Sequence, residues 1–459
     1  MTFHFGRGAA MRAIFIGTGF LLLVVCGPPM SNLFRNSSGI WQRAAEGHER
    51  RLRRSMAIVL LFVLVAWSGI AHAAADFIHA DGTQLVDGQG APFAVKGINL
   101  GNWLVPEGYM FKFARKRAPS EIAEVIEALV GPQEAARFWT TFRENYVAQA
   151  DIEFIKRAGF NTVRVPLHWR LFVTPGAADN GSADTFDGEG WRLLDRLVGW
   201  CREAGLRVIV DLHAAPGGQT GVNHDDGVGF PLTFYVPRYR AQTVALWKAI
   251  AARYRDEPTV LGYDLLNEPI SPYSDEAYLN PRLEPLYREI VAAIRSVDAH
   301  HVVLLAGGQW STSFAMFDRP FDANAVYTYH KFWAAPSRDS LQSYLNFSKR
   351  WNVPILIGET GEMNDQWNAR FRALHEQFGI GWVFWPYKSL DSTTSVVSIV
   401  KPAGWDLVAE VGSHDTIDPA ALPPRAEASK ILDAYLEAIK FQNVHINAGY
   451  LASLGLAAR

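Results

Sequence analysis

The chain has 459 residues, 49% apolar and 20% charged, with a formal net charge of −2, a composition that excludes disorder and supplies side chains for a large buried core. Residues 1–75 hold eight Arg and two Glu, which leaves the remainder at −8. An acidic body lacks the clustered basic surface that nucleic acid binding needs, so nucleic acid is not an expected partner.

The N-terminus reads as a targeting region over residues 1–75. Arg50, Arg51, Arg53 and Arg54 precede an apolar run from Ala57 to Trp67, followed by Ala71-His72-Ala73, the order of a secretory signal peptide with a small-residue cleavage site. Eleven apolar residues fall short of the ~20 that span a bilayer. The expectation is therefore export, to a periplasmic or secreted location, with the membrane met only transiently through the signal segment. An earlier apolar run, Ala13 to Cys26, ends at Gly27-Pro28-Pro29 and puts about fifty residues ahead of the signal. Met30 is a plausible true start that keeps the arginine cluster. Val24-Val25-Cys26 departs from a lipidation site, because Val25 stands where a small residue is expected. With only Cys26 and Cys201 present, the body has no internal disulfide and must be stabilised by its core.

Residues 76–459 read as one catalytic domain. From Phe77 to Lys96, apolar residues alternate around Asp81-Gly82 and Asp87-Gly88, which predicts a short β-hairpin plugging a barrel floor. Eight strands follow: Val95–Leu100, Thr162–Leu167, Arg207–His213, Val260–Glu268, Val302–Ala306, Ala325–His330, Pro354–Glu359 and Gly381–Tyr387. Between them lie amphipathic stretches such as Ala148–Ala158, Gly190–Ala204, Ala241–Tyr254, Leu283–Val297 and Ser340–Trp351. Strand–helix alternation argues for a parallel sheet under helices, and eight repeats without a Gly-rich dinucleotide fingerprint argue for α/β architecture closed as a (β/α)8 TIM barrel.

Polar and aromatic residues gather at the C-terminal strand ends: Arg164, His213, Asn267, Glu268, His330, Glu359 and Trp385. That rim is where barrel enzymes build their sites. Glu268 and Glu359 end the fourth and seventh strands, across the mouth from each other. A carboxyl pair so placed suits glycosidic bond hydrolysis, in which one carboxyl protonates the leaving oxygen and another meets the oxocarbenium-like centre.

Asn267-Glu268-Pro269 closing an apolar strand, with Ile357-Gly358-Glu359 on the seventh, resembles glycoside hydrolase family 5, the cellulase family, over roughly Phe77 to Ile439. The resemblance implies a retaining O-glycosyl hydrolase with Glu268 as acid/base and Glu359 as nucleophile. It implies that Asn267 holds the sugar 2-hydroxyl and that Arg164 supports the nucleophile. His213 and His330 would line the cleavage subsite, and Trp385 would stack on a sugar ring. No cofactor or metal is implied, and His213, His224 and His330 lack a short ligand spacing. Asn99 through Val105 with Glu107, and HAAPGGQTG from His213 to Gly221, are similar to exo-β-1,3-glucanases of the family and point to β-1,3-glucan, an oligo- or polysaccharide partner. Glu107 then grips a terminal glucose, or is a solvated loop carboxylate.

Two departures stand out. Lys331-Phe332 replaces the tyrosine that many members carry two residues past the strand-six histidine, leaving Tyr329 or another residue to supply its hydroxyl. Strand eight reads Trp385-Pro386-Tyr387-Lys388, without a second tryptophan. A β-1,4-active endoglucanase or mannanase shares the same core residues, and a silent glucan-binding barrel is the alternative of another class, although both carboxylates are present. The two roles predict a raised pKa for Glu268 and a depressed one for Glu359. Oligomeric state is not legible.

Overall fold

The computed structural model describes residues 76–176 and 184–457; the targeting region expected over 1–75 lies outside them. Eight parallel strands close a barrel in the order β10-β3-β4-β5-β6-β7-β8-β9. They are β3 (Lys96–Asn99), β4 (Thr162–His168), β5 (Arg207–Ala214), β6 (Val260–Asp264), β7 (Val302–Ala306), β8 (Ala325–His330), β9 (Ile355–Gly361) and β10 (Gly381–Trp385). Helices Gln149–Ala158, Gly190–Ala204, Pro237–Tyr254, Glu276–Arg295, Gln342–Trp351 and Asp365–Gln377 alternate with them. Proline at the first turn of Pro237–Tyr254 removes one N–H that a helix start leaves orphaned, and caps by Asp275 on the Tyr278 amide (3.1 Å) and Asn364 on the Trp367 amide (2.9 Å) satisfy others. The helical hairpin Pro119–Val130 and Pro132–Tyr146, inserted after β3, was not among the predicted elements.

The hairpin forms as expected. β1 (His79–Asp81) and β2 (Gln84–Val86) pair antiparallel around Gly82, and Ile78 and Leu85 pack with Ile209, Leu261, Val302, Leu304, Val326, Leu356 and Val383, the apolar floor of the barrel. The period-2 pattern of each strand sorts its side chains. On β5, Val208, Val210 and Leu212 join the core under the helices while Ile209 lies in the floor. Asp211 and His213, in phase with Ile209, therefore stand above that floor on the barrel axis. Arg164 of β4 alternates in the same way with Val163 and Val165. The interior thus changes from aliphatic to charged toward the strand C-termini.

Several strand ends differ from expectation, those of β3, β4 and β5 by one residue and those of β6, β9 and β10 by up to four. β6 stops at Asp264, so Glu268 lies four residues beyond its ladder, with φ 45°. The segment stays anchored, because the Leu265 and Asn267 amides donate to the carbonyls of Leu304 and Leu212 at 3.1 and 3.0 Å. β9 begins after Pro354, which has no N–H for a ladder, and runs on to Gly361. β10 ends at Trp385, where Pro386 stops it, and Lys388–Leu390 joins a separate small sheet, β11 (Lys388–Leu390), β12 (Val397–Ile399) and β13 (His445–Ile446). There the buried Lys388 ammonium meets Asp151 at 2.8 Å and donates to the Tyr146 and Ile439 carbonyls at 2.6 and 2.8 Å.

Candidate active site

Arg164 is the hub. Its side chain is wholly buried, and a guanidinium offers five donors in a fixed fork. Nε donates to Asp264 Oδ2 at 2.9 Å, Nη1 to Asn99 Oδ1 at 3.0 Å and to Glu359 Oε1, and Nη2 to Asn267 Oδ1 at 2.8 Å, while Asp211 Oδ1 lies 3.0 Å from Nη2. Burial works against the charge, but Asp211, Asp264 and Glu359 together hold the guanidinium firmly protonated. The three carboxylates outnumber the one cation. Burial accordingly pushes Asp211 up to about 7 and Asp264 up to about 6, with Arg164 opposing both.

Around this hub stand the residues singled out from sequence. His213 Nδ1 lies 2.8 Å from Asp211 Oδ2, and its Nε2 lies 3.3 Å from the Asn267 amide nitrogen. Burial lowers the His213 pKa to about 3, which keeps the ring neutral. Trp385 stacks on His213 with centroids 5.7 Å apart and donates its indole N–H to the Tyr109 hydroxyl at 2.7 Å. Gly101 makes room for that indole, since a Cβ there would lie 2.5 Å from the ring.

His330 Nδ1 is 2.9 Å from Glu268 Oε1 and 3.7 Å from Glu359 Oε2. One carboxylate oxygen of Glu268, one ring nitrogen of His330 and one carboxylate oxygen of Glu359 all lie within 4.8 Å of one another. That spacing would admit a small cation, but Glu359 is bonded to Arg164 and Glu268 to His330, so the donors are committed to protein partners.

The expected rise in the Glu268 pKa is corrected here. Burial pushes it up, but the hydrogen bond with His330 and the charge of His330 hold it below the ordinary carboxylate value. His330 moves the other way: burial opposes its imidazolium, and Glu359 with Glu268 raises it. The two groups face each other across one hydrogen bond, so their titration belongs to the pair. Tyr329 does not supply the hydroxyl absent at Phe332. It stacks on Tyr344 at 4.0 Å in the core outside the barrel, and its OH has no partner.

A cleft of about 560 Å³ collects these groups. Its walls include Glu107, Glu268, Glu359, His213, His330 and Trp385, with Trp310, Tyr273, Phe332 and Trp333 toward solvent. Tyr273 and Trp333 are 85% and 73% exposed, which leaves their faces free at the rim. Glu107 lines this cleft rather than standing in open solvent, and burial with the charges of Glu359, Glu362 and Glu268 raises its pKa well above the ordinary value.

Several residues escaped the sequence reading. Asp211 and Asp264 are charged positions inside apolar strands, a signal that was present. Glu362 sits on a loop, where nothing in the pattern marks it, and His224, weighed only as a metal ligand, sits on another, yet both face the cleft. Gln219 of the HAAPGGQTG run proves to be a staple. Its amide donates to the carbonyls of His213 and Asn267, both at 2.7 Å, and accepts from the Ala215 amide at 3.0 Å, tying the ends of β5 and β6 together.

A closed parallel barrel with paired carboxyls past its fourth strand and on its seventh, at the C-terminal mouth, has the architecture of a glycoside hydrolase. The family model for cellulase (glycosyl hydrolase family 5) matches residues 129–391, and the chain belongs to that family. A protein named beta-xylosidase from Phanerodontia chrysosporium is 28% identical over 352 residues, 68% of this chain and 71% of its own length. One named probable glucan 1,3-beta-glucosidase A from Aspergillus fumigatus is 31% identical over 226 residues, 48% of this chain and 51% of its own. The chain thus spans about half the length of relatives of the latter kind. Among solved structures, an endogalactoceramidase is similar with TM-score 0.55 at 16% identity, covering 84% of this chain and 85% of that one. A rutinosidase from Aspergillus niger follows with TM-score 0.52 at 17% identity, covering 66% and 92%. At these identities the two structures speak to the fold alone.

Proposed function

We propose that the protein is an exported retaining glycosidase that cleaves β-glucosidic bonds, with β-1,3-glucan as its substrate class. The observation that carries this reading is the convergence of Glu268 and Glu359 within 4.8 Å. The approach of one oxygen from each group suits the retaining geometry, about 5 to 5.5 Å between carboxyls, better than the inverting one, about 6.5 to 9.5 Å.

In the first half-reaction Glu359 bonds the anomeric carbon while the bond from that carbon to the glycosidic oxygen breaks, and a proton of the Glu268–His330 pair passes through Glu268 to the departing oxygen. In the second, a water gives its proton to Glu268, its oxygen bonds the anomeric carbon, and the bond to Glu359 breaks. Arg164 donates to Glu359 and holds it in place for attack. Asn267, held by Arg164 and beside His213, is placed for the 2-hydroxyl of the bound sugar. Trp385, Glu107 and Tyr109 form the wall against which that sugar rests. Export is carried by the sequence signal at residues 50–73, and among the described residues no helix is long and apolar enough to cross a membrane.

The glucan 1,3-beta-glucosidase relative supports a β-1,3-glucosidic substrate. The relative named beta-xylosidase, which the chain matches over a greater length, favours a second reading in which the bound sugar is xylose. The test is product release by the mature chain from β-1,3-, β-1,4- and β-1,6-glucans, mannan and aryl β-glucoside and β-xyloside, beside a Glu359→Gln control. Release from laminarin-type glucan, lost in the control, is the expected result. Release from xyloside alone moves the substrate class to xylosides, and release from none removes the hydrolase reading.

A further inference from the structure

Glu268 has two carboxylate oxygens, and His330 accounts for one of them. The other, Oε2, faces His224, whose Nε2 stands 3.4 Å away. That nitrogen is buried and has no hydrogen-bond partner, whereas buried ring nitrogens are ordinarily paired. The His224 ring packs edge-on to Trp310 at 6.2 Å and to His213 at 6.4 Å, which confines it beside the carboxyl.

The loop that carries His224 is built to hold it there. Asp225, on one side, accepts from the Thr220 and Gly221 amides at 2.6 and 3.1 Å. Asp226, which follows it, accepts from the Ser120 amide at 2.9 Å and lies 3.4 Å from His168 Nε2. Gly221 takes φ 82°, and a Cβ there would meet the Phe230 carbonyl carbon at 2.7 Å, so the loop folds tightly on itself. These anchors tie it to the barrel and to the helix Pro119–Val130. His224 is thus held in a turn that Asp225 closes and Asp226 anchors.

Resting on the acid/base reading of Glu268 above, we infer that His224 is a positioning residue for that carboxyl: its Nε2 holds the oxygen that His330 leaves free and stabilises the ionised state needed in the second half-reaction. In that step Glu268 must take a proton from water. An N–H directed at Oε2 favours the carboxylate that receives it, and no proton is exchanged with the imidazole. Other charged groups also bear on the site: His330 on β8, Glu359 on β9, His213 and Asp211 on β5, Arg164 on β4, and Glu107 from the loop after β3. On its own loop His224 is followed by Asp225 and Asp226, the latter faced by His168. Formation of the glycosyl-enzyme removes the Glu359 charge, and with it one support of the His330 imidazolium. The contribution of His224 to the ionised Glu268 then weighs more than in the free enzyme.

The experiment follows kcat against pH for wild type, His224→Ala and His224→Gln. The substrate is an aryl β-glucoside with an activated leaving group, on which the second half-reaction limits turnover. With His224→Ala the acidic limb of kcat moves up by about one pH unit, an approximately tenfold loss near pH 5 with little loss above pH 7. His224→Gln, which retains a side-chain N–H, recovers part of the shift. kcat/KM for this substrate, whose departure needs no proton, changes less than threefold. An acidic limb that stays in place, or an equal loss at every pH with kcat and kcat/KM falling together, overturns the inference. Azide rescue of Glu268→Ala on the same substrate tests the underlying assignment separately. If wild type turns over no aryl glycoside, or azide does not rescue, the acid/base reading fails and the role of His224 falls with it.

Discussion

Asp264 Oδ2 accepts the Nε–H of Arg164 at 2.9 Å, so the strand leading to Glu268 grips the same guanidinium that holds Glu359. Both carboxyls are referenced to one rigid group, and neither position is left to a loop alone. Arg164→Met strands Asp211, Asp264 and Glu359 as uncompensated buried charges. The expected cost is about 3 to 5 kcal/mol of stability, read by denaturant unfolding, with collapse of kcat. Arg164→Lys does not restore function, because an ammonium cannot make the forked contacts. Asp264→Asn removes one of the surplus carboxylates and is the milder change.

For Glu268, replacement by Ala lowers kcat/KM on substrates with poor leaving groups by about 10²–10⁴ and spares activated aryl glycosides. Azide then restores turnover with a β-configured glycosyl azide as product, which NMR identifies. An α-configured product would contradict retention.

Glu362 yields a pH prediction. Burial, reinforced by the charge of Glu359, pushes its pKa up to about 7, against the hydrogen bond with Tyr109 and the charge of Lys112. A carboxyl raised in the native state binds a proton that the unfolded chain has already lost. Its stabilising contribution is therefore complete below about pH 4 and disappears as the pH rises through about 7. Thermal unfolding between pH 5 and 8 should show wild type losing stability relative to Glu362→Gln as the pH rises. A constant difference would place the Glu362 carboxyl in ordinary solvent.

The Lys388–Asp151 pair lies away from the chemistry and offers a structural control. Both side chains are wholly buried, and Asp151 also accepts from the Tyr387 hydroxyl and the Ala148 amide, both at 2.8 Å. Lys388→Met leaves Asp151 unpaired and costs about 3 to 5 kcal/mol. The double change Lys388→Met with Asp151→Leu recovers much of that stability, measured by thermal unfolding with KM unchanged.

Strand alternation and strand-end chemistry were readable locally. The eight strands, the plugging hairpin and the placement of Arg164, His213, Asn267, Glu268, His330, Glu359 and Trp385 near one mouth follow from a pattern of period 2 and from polar residues closing apolar runs. The inserted helical hairpin was missed, although Pro119 and Pro132 both stand at the first helical position, where proline is favoured. Asp211 was visible two residues before His213, but its partner Arg164 is 47 positions away, and only barrel closure makes them neighbours.

Charge state was the part that sequence could not give. A lone glutamate in a closed site is expected to rise in pKa, and Glu268 does not, because His330, 62 residues distant, donates to it. Loops were equally opaque: His224 and Glu362 belong to segments with no periodicity, and their approach to the cleft depends on anchors as remote as Ser120 and Tyr109. Residue type and local spacing determined which groups could carry the chemistry and at which end of the barrel. Which of them share a proton, a counter-charge or a hydrogen bond was decided by tertiary contacts, since electrostatic interactions depend on distance and burial, and neither is a property of sequence separation.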